Sequence, residues 1–131
     1  RQADGVVIIT TESREDDIVL RTGLEHEAPV YRGPAEDLLG TFARAADRYR
    51  SDTIVRVKSD ETDLNPLEID LAIQSYAAGE LDYVAESGVE IFSSQLLFTA
   101  ARESRRDAER KDVTLFVRSR PQRFQLERPT I

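Results

Sequence analysis

The sequence has 131 residues, a formal net charge of −7 and no Cys, which fits one domain with one buried core. The negative charge argues against binding to the phosphate backbone of nucleic acids, and the absence of Cys excludes both a disulfide framework and a thiolate zinc site. No long apolar run or cleavable leader is visible, so we expect a protein of the reducing cytoplasm.

The first part of the sequence predicts two strands, each followed by a helix. Residues 6–11 form a continuous β-branched apolar run, which is typical of a strand covered on both faces. Asp16 and Asp17 can begin the first helix, because the helix dipole favours negative charge in a first turn. Residues 29–33 are extended, and residues 36–50 carry an apolar helical stripe. The apolar positions are Ile18, Leu20 and Leu24 in the first helix and Leu38, Leu39, Phe42, Ala45, Ala46 and Tyr49 in the second.

The middle of the sequence predicts a third strand, at residues 53–57, and a third helix. Asn65 can cap this helix, and Pro66 loses nothing by lacking an amide hydrogen in the first turn. Glu68 occupies the capping-box position. The side chains expected on the buried face are Ile69, Ile73, Tyr76 and Ala77.

The last part of the sequence predicts a hairpin and a further helix. Residues 81–85 and 89–92 are short strands joined by a tight turn, and Ser93 or Ser94 can cap the helix that follows. Residues 102–110 are too charged for a core, and we interpret them first as a salt-bridged helix face. The closing elements are a helical segment at residues 113–117 and a strand at residues 124–126.

Strands that alternate with helices of this length need crossover connections. We therefore predict an α/β fold with a mostly parallel sheet and helices on both faces. Ligands of such sheets bind beyond the carboxyl ends of the strands.

An acidic turn follows the third strand and contains Asp60, Glu61 and Asp63. We expect it at the ligand-facing edge of the parallel sheet, where carboxylates can hold a divalent cation such as Mg²⁺ together with substrate phosphates. Asp60, nearest the strand end, is the first candidate. A solvated acidic loop is an equal alternative in a chain this acidic.

Several short motifs occur in a fixed order along the sequence. They are Val30-Tyr31-Arg32-Gly33, Glu36-Asp37-Leu38-Leu39, Ile54-Val55-Arg56-Val57-Lys58-Ser59-Asp60, Asn65-Pro66, Glu109-Arg110, Val113-Thr114, Phe116-Val117-Arg118, Pro121 and Phe124. This ordered set covers nearly the whole chain and resembles the spore-coat polysaccharide and acylneuraminate cytidylyltransferases.

The resemblance implies a Rossmann-like nucleotidyltransferase fold of the nucleotide-diphospho-sugar transferase type. It implies an enzyme that joins a sugar, often an acidic one, to CMP by in-line attack on CTP, with Mg²⁺ and with release of pyrophosphate. Positioning and neutralisation of phosphate charge accelerate such a reaction. The predicted site residues are Asp60 and Asp63 for the metal and Thr10, Thr11, Arg110 and Arg118 for the nucleotide. A homodimer is expected from the family only.

The start of the family pattern has no counterpart in this sequence. The family opens with a strand and a Gly- and Arg-rich loop around the triphosphate, and neither can be found here. The sequence also contains no Met and starts at Arg1. We therefore expect residues 1–131 to be a single nucleotidyltransferase-like domain that lacks its first strand and its phosphate-binding loop.

Four positions of the site also differ from the family pattern. This sequence has Thr41 where the family has an Arg, and Ser59 where the family has a Gly. It has Gly88 in place of a second metal-binding Asp, and Asp112 in place of a His. Glu86 or Glu90 is a weak substitute for the missing aspartate. Such losses in a retained scaffold suggest a degenerate domain.

Three functions are compatible with the sequence. The first is a cytidylyltransferase-like domain of sugar activation, impaired in this form. The second is an inactive descendant that serves dimerisation or scaffolding of a glycan-synthesis complex. The third is a glycosyltransferase-like domain that holds a metal and a sugar nucleotide with Asp60 and Asp63. His26, the only His, lies in a polar turn and is assigned no role.

Overall fold

Strands and helices alternate from residue 8 to residue 86, as predicted. The structure, a computed structural model, describes residues 5–57, 66–79, 81–86, 88–124 and 126–127. The first elements are β1 (Ile8–Thr11), a 3-10 turn (Arg14–Asp16), α1 (Asp17–Glu25), β2 (Val30–Gly33) and α2 (Leu38–Arg48). They are followed by β3 (Thr53–Val57), α3 (Pro66–Ala78), β4 (Tyr83–Glu86), β5 (Val89–Ser93), α4 (Ser94–Glu103), α5 (Asp107–Arg110), α6 (Leu115–Arg118) and β6 (Leu126–Glu127). None of the helices in these ranges is both long and apolar enough to cross a membrane.

Capping residues explain where two of the helices begin, and a proline marks the start of a third. The side chain of Asp37 accepts a hydrogen bond of 3.0 Å from a first-turn amide of α2. The side chain of Ser93 does the same for α4 at 3.1 Å, so Ser93 and not Ser94 is the cap. Helix α3 begins at Pro66, as predicted. Its proposed cap, Asn65, lies outside the described residues.

The six described strands form two sheets. Strands β1 and β2 pair in parallel. The second sheet has the order β3-β5-β4-β6, in which β3 and β4 are both antiparallel to β5 and β6 is parallel to β4. Strand β5 therefore lies between β3 and β4.

The α/β class is confirmed, but the pairing of β3 differs from the prediction. A mostly parallel sheet was expected around this strand, whereas its paired neighbour in the described residues, β5, runs antiparallel to it, with Ile54 opposite Phe92. The hairpin is the cause, because β5 returns directly from β4 and then lies beside β3. Gly88 allows the tight return with a φ of 82°, a conformation that glycine adopts without steric cost.

Successive residues of β5 face two different apolar cores. Phe92 belongs to the main core, which α2, α4 and α6 cover. Val89 and Ile91 belong to a smaller core, which α3 covers. Since neighbouring side chains of a strand point to opposite faces, helices on both sides of the sheet produce this pattern. The largest fully buried side chains include Leu39, Tyr83, Val84, Ile91, Phe92 and Leu97.

Some apolar side chains of the predicted helical stripes are exposed. Ile18 and Leu24 of α1 are 64% and 68% exposed. The close approach of α1 to β2 is made instead by Gly23, where an added Cβ would lie 2.3 Å from a methyl group of Val30. Tyr49, which follows α2, is also exposed.

Most of residues 102–110 are exposed, as their charge predicts, but two of them are buried. Glu109 and Ser104 are buried, and the Ser104 hydroxyl donates to Glu109 Oε1 at 2.9 Å. Arg120 Nη1 donates to the other carboxylate oxygen at 3.0 Å. A carboxylate can be buried here because both of its oxygens have donors. The stretch is also not one helix, since α4 ends at Glu103.

We predict that Leu97→Ala lowers the free energy of unfolding by about 2–5 kcal/mol, because it leaves a cavity in the main core. The matched change Leu24→Ala removes an exposed side chain and should alter this free energy by less than about 0.5 kcal/mol. Urea denaturation followed by circular dichroism measures both. Equal losses in the two variants would contradict the described core.

Candidate functional site

A group of polar and charged side chains lies at the carboxyl end of β3. We call it the Glu90 cluster, and its members are Arg56, Tyr83, Glu90, Asp112, Thr114 and Arg118. Arg56 is opposite Glu90 in the β3–β5 ladder, so the two side chains project from the same face of the sheet. Strand β4 supplies Tyr83, and the segment before and within α6 supplies Asp112, Thr114 and Arg118.

Both carboxylate oxygens of Glu90 are engaged. Arg56 Nη1 donates to Oε1 at 2.6 Å. The Thr114 hydroxyl donates to Oε2 at 2.7 Å, and the Tyr83 hydroxyl donates to the same oxygen. Arg118 Nε lies 3.9 Å from Oε2. The Glu90 side chain is only 10% exposed, so these contacts replace nearly all of its hydration.

These partners keep the buried carboxylate ionised. Burial by itself would raise the pKa of Glu90, but the hydrogen bonds from Tyr83, Thr114 and Arg56 and the charge of Arg56 outweigh it, so the pKa lies below its usual value of 4.5. Burial and the adjacent Glu90 raise the pKa of Tyr83, which therefore stays a donor at neutral pH. No buried side-chain nitrogen or oxygen in the described ranges lacks a partner.

Asp112 and Arg118 form the outer part of the Glu90 cluster. Arg118 Nη2 pairs with Asp112 Oδ2 at 2.7 Å, and Arg118 Nε donates to the Thr114 hydroxyl at 3.0 Å. Burial by itself would raise the pKa of Asp112. The hydrogen bonds from the Thr114 amide and Arg118 and the charge of Arg118 outweigh this effect, so the pKa lies below its usual value. The Arg118 side chain remains 36% exposed. An oriented, partly exposed guanidinium of this kind can bind phosphate oxygens.

The predicted nucleotide-binding residues Thr10 and Thr11 lie at the carboxyl end of β1. Thr10 is buried, and the Thr11 hydroxyl donates to Asp16. Arg32 of β2 donates to the Thr11 carbonyl oxygen at 2.7 Å and pairs with Asp17 at 3.0 Å. These contacts join the end of β1 to the start of α1.

The first turns of α2 connect the carboxyl ends of β2 and β3. Thr41 is buried against Gly33, the last residue of β2, where an added Cβ would lie 2.0 Å from the Thr41 hydroxyl oxygen. Phe42 follows Thr41, and its ring centroid lies 5.6 Å from the Arg56 guanidinium. Thr41, which replaces the Arg of the family pattern, therefore packs against the end of a strand, and α2 links that strand end to the Glu90 cluster.

Arg110, also predicted to contact the nucleotide, joins α5 to the start of α2. Its Nε and Nη2 donate to the two carboxylate oxygens of Asp37 at 2.9 and 3.2 Å, and its Nη1 donates to the Ala101 carbonyl at 2.5 Å. This is the bidentate geometry that guanidinium groups form with carboxylates. Burial raises the pKa of Asp37, but the hydrogen bonds from Arg110 and Gly40 outweigh it and lower that pKa. A nucleotide contact of Arg110 stays a prediction.

The predicted metal ligands Asp60 and Asp63 lie outside the described residues, as does Ser59. Within the described ranges, no group of three or more His, Cys, Asp or Glu side chains could hold a metal ion. Glu90, the weak substitute for the family's second metal-binding aspartate, does not fit that role because its oxygens accept from protein donors. Metal binding by Asp60 and Asp63 stays a prediction.

The sequence analysis missed Arg56, Tyr83 and Thr114 as partners of Glu90. One signal for the first of them was present, since Glu90 and Arg56 are the single charges within two apolar strands. Charges buried between two layers need partners of opposite sign, which predicts that these strands pair. No local pattern marks Tyr83 or Thr114, because their positions depend on the tertiary packing of β4 and α6.

Comparison with known proteins agrees with the predicted resemblance. A family model described as Cytidylyltransferase matches residues 1–131. An uncharacterized protein of Methanocaldococcus jannaschii is 26% identical over 136 residues, which cover 96% of this chain and 54% of that protein. The spore coat polysaccharide biosynthesis protein SpsF of Bacillus subtilis is 25% identical over 134 residues, which cover 97% of this chain and 56% of SpsF. The chain spans about half the length of these curated relatives.

A solved structure has the same fold. A cytidylyltransferase from Leptospira borgpetersenii serovar Hardjo-bovis superposes with a TM-score of 0.85 at 26% identity. The match covers 96% of this chain and 58% of that one. Since nearly the whole chain superposes, the arrangement of its strands and helices is that of the nucleotidyltransferase fold.

We predict that Glu90→Gln lowers the free energy of unfolding by about 1–3 kcal/mol at neutral pH, because it removes the charge that Arg56 faces. The pKa of Glu90 is lowered in the folded state, so its contribution is complete above the usual value of 4.5 and is lost as the pH falls through the folded-state value. The difference between wild type and variant should therefore shrink in urea titrations at decreasing pH. Glu25→Gln, at an exposed position of α1, is the control. A difference that does not change with pH would contradict an ionised Glu90.

A double-mutant cycle of Asp37→Asn and Arg110→Met should give a coupling energy of about 1 kcal/mol. Asn can still cap α2, so the coupling reports the ion pair, and the partial exposure of both side chains keeps it modest. The same cycle on the exposed pair of Glu103 and Arg123 should give a smaller coupling. Chemical denaturation of the wild type and the six variants measures both cycles. An equal coupling energy in the exposed pair would contradict a larger contribution to stability from the ion pair between α5 and α2.

Proposed function

The chain belongs to the cytidylyltransferase family, and we propose that it forms part of the active site of an enzyme that activates a sugar for surface polysaccharide biosynthesis. The reaction would convert CTP and a sugar, in the family an acidic one in many cases, into a CMP-sugar and pyrophosphate. The similarity to SpsF, named for spore coat polysaccharide biosynthesis, supports the pathway class. The match to a solved cytidylyltransferase supports the reaction class.

The observation that carries the proposal is the position of the Glu90 cluster. Arg56 is the penultimate residue of β3, and the acidic sequence of residues 58–65 follows directly after that strand in the chain. Carboxyl ends of strands are where open α/β sheets bind ligands. The cluster therefore presents the oriented guanidinium of Arg118 beside the strand end where the family's metal-binding aspartate is expected.

In the proposed reaction, an oxygen of the sugar attacks the α-phosphorus of CTP. A new phosphorus–oxygen bond forms and the sugar hydroxyl releases its proton to water. The bond from the α-phosphorus to the oxygen that bridges it to the β-phosphate breaks, so pyrophosphate leaves with that electron pair. Arg118 would neutralise phosphate charge while Asp112 and Thr114 hold its orientation. Thr10 and Thr11 would contact the nucleotide from the end of β1, and Arg110 is a further candidate contact.

We further propose that Asp60 and Asp63 hold a magnesium ion. The described side chains do not provide a metal site, so such a site would depend on residues 58–65. Magnesium prefers carboxylate oxygens together with substrate phosphates, and when bound it would neutralise charge on the triphosphate. The family's Gly- and Arg-rich loop has no counterpart in this sequence. In this proposal, polypeptide beyond these residues contributes the clamp on the triphosphate.

A second candidate function is an inactive descendant used for dimerisation or scaffolding. It is favoured by the saturation of the Glu90 cluster, in which Glu90, Asp112 and Arg118 already pair with each other or with neighbouring groups. Thr41, which stands where the family has an Arg, packs against Gly33. A site left in this state need not bind a nucleotide.

We predict that the protein binds CTP in the presence of magnesium and that Asp60→Ala weakens this binding at least about tenfold, because a carboxylate that binds the metal directly is lost. Glu25→Ala, which removes an equal charge from an exposed position of α1, should leave binding unchanged. Titration calorimetry of the three proteins measures the affinities.

The other outcomes separate the alternatives. Wild-type affinity in Asp60→Ala would refute the metal assignment. No CTP binding by any of the proteins would support the scaffold, and binding of a sugar nucleotide in preference to CTP would support a glycosyltransferase-like domain.

A further inference from the structure

We propose that four cations at the end of α4 and around α5 form a docking surface for an acidic polypeptide segment of another protein. We call it the basic surface, and its members are Arg102, Arg105, Arg106 and Lys111. All four residues are exposed. Arg102 lies in the last turn of α4. Arg105 and Arg106 precede α5, and Lys111 follows it.

The basic surface belongs to a positively charged segment of an acidic chain. Residues 102–123 contain eight Arg or Lys and four Asp or Glu, which gives a net charge of +4. The whole sequence has a net charge of −7, so the other residues carry −11. Such a separation of charge creates a local positive potential, which attracts an anionic partner to one place on the molecule.

The cations of the basic surface are not used for ion pairs within the described ranges. In this part of the chain, their side chains form neither a hydrogen bond nor a salt bridge. Arg102 is close enough to Glu103 for their charges to interact, and the same holds for Arg106 and Glu109. Each of those carboxylates, however, is hydrogen-bonded to a different Arg. The four guanidinium and ammonium groups therefore remain available to a partner.

Arg110 brings the parts of the basic surface together. Its Nη1 donates to the carbonyl oxygens of Ala101 at 2.5 Å and of Ser104 at 3.4 Å. Ala101 and Ser104 directly precede the first two members of the surface, and Arg110 directly precedes Lys111. Since consecutive Cα atoms are about 3.8 Å apart, the members lie around one point of contact. A backbone fixed in this way loses little conformational freedom when a partner binds.

Carboxylates are the anions that this part of the molecule already binds. Arg123 donates through Nη1 and Nη2 to the two oxygens of Glu103 at 2.6 and 2.7 Å, on the same exposed side of α4 as Arg102. Guanidinium groups form such pairs of parallel hydrogen bonds with carboxylates, and clusters of Arg recognise acidic motifs in polypeptides. A segment with several Glu or Asp would repeat this geometry on the basic surface.

A membrane or a nucleic acid fits the basic surface less well. Both present negative charge over a larger area than these four side chains cover, so they would also meet the −11 of the other residues. Among residues 102–123, no aromatic side chain is exposed for stacking on bases. The exposed apolar residues there are Ala108 and Pro121, which offer little to insert into a lipid layer. A narrow acidic segment can contact the basic surface alone.

The test uses the 131-residue chain and a fluorescent peptide of four Ser-Glu-Glu repeats. The control peptide has Gln in place of every Glu. We expect saturable binding of the acidic peptide only, measured by fluorescence anisotropy. Its affinity should fall as the salt concentration rises, because exposed ion pairs are screened. In NMR spectra, the largest chemical-shift changes on binding should lie within residues 102–111.

Two variants with the same change in net charge locate the site. Arg105→Gln combined with Arg106→Gln should weaken peptide binding at least about fivefold, because two cations of the surface are lost. Arg14→Gln combined with Arg21→Gln removes two cations that are exposed elsewhere and should bind as the wild type does. Circular dichroism checks that both variants fold. The shift changes in the wild type test the site without any substitution.

Several results would overturn the proposal. They are equal binding of the Gln peptide, an equal loss of affinity in the two variants, and shift changes centred outside residues 102–111. Tighter binding of oligothymidylate or of phosphatidylglycerol vesicles would assign the surface to a nucleic acid or a membrane instead. Displacement of the peptide by CTP with magnesium would assign it to the nucleotide site. A chain that does not bind CTP could still bind the peptide, so failure of this proposal is distinguishable from failure of the proposed function.

Discussion

Strand β5 is buried between two helical layers, and the rest of the described fold is arranged around that constraint. A strand in such a position is usually apolar throughout, because each face meets a core. Three of its first four residues follow this rule, but Glu90 does not. The surroundings of Glu90 must therefore supply donors and positive charge where methyl groups would otherwise lie. Those donors come from β3, β4 and the segment that leads into α6.

The same arrangement connects a buried carboxylate to a partly exposed guanidinium. Arg56 neutralises Glu90 from within the sheet, while Thr114 connects the carboxylate to the more exposed Arg118. Two hydrogen bonds therefore connect the buried carboxylate to a guanidinium at the surface. Since charged pairs of this kind are costly to break and not strongly stabilising when intact, their presence at a strand end is more easily explained by positioning than by stability alone.

The sequence predicts those features that depend on local patterns. The start of α3 at Pro66, the cap at Ser93 and the strand Thr53–Val57 follow from capping chemistry and apolar runs. The direction of β5 beside β3 was not predicted, because it depends on where the hairpin lies in space. The burial of Glu109 was missed for a similar reason, since one of its partners, Arg120, lies eleven residues away. The resemblance predicted the family. The single charges of two apolar strands, Arg56 in β3 and Glu90 in β5, also indicate the ion pair of the Glu90 cluster.

Asp37 illustrates how a tertiary contact can narrow the choice of residue at a position that looks permissive. Ser, Thr or Asn would cap α2 about as well as Asp. None of them can accept the fork of Arg110 with two charged oxygens. Among homologous sequences we therefore expect covariation, with Asp retained wherever an Arg corresponds to Arg110 and the other capping residues appearing where that Arg is absent.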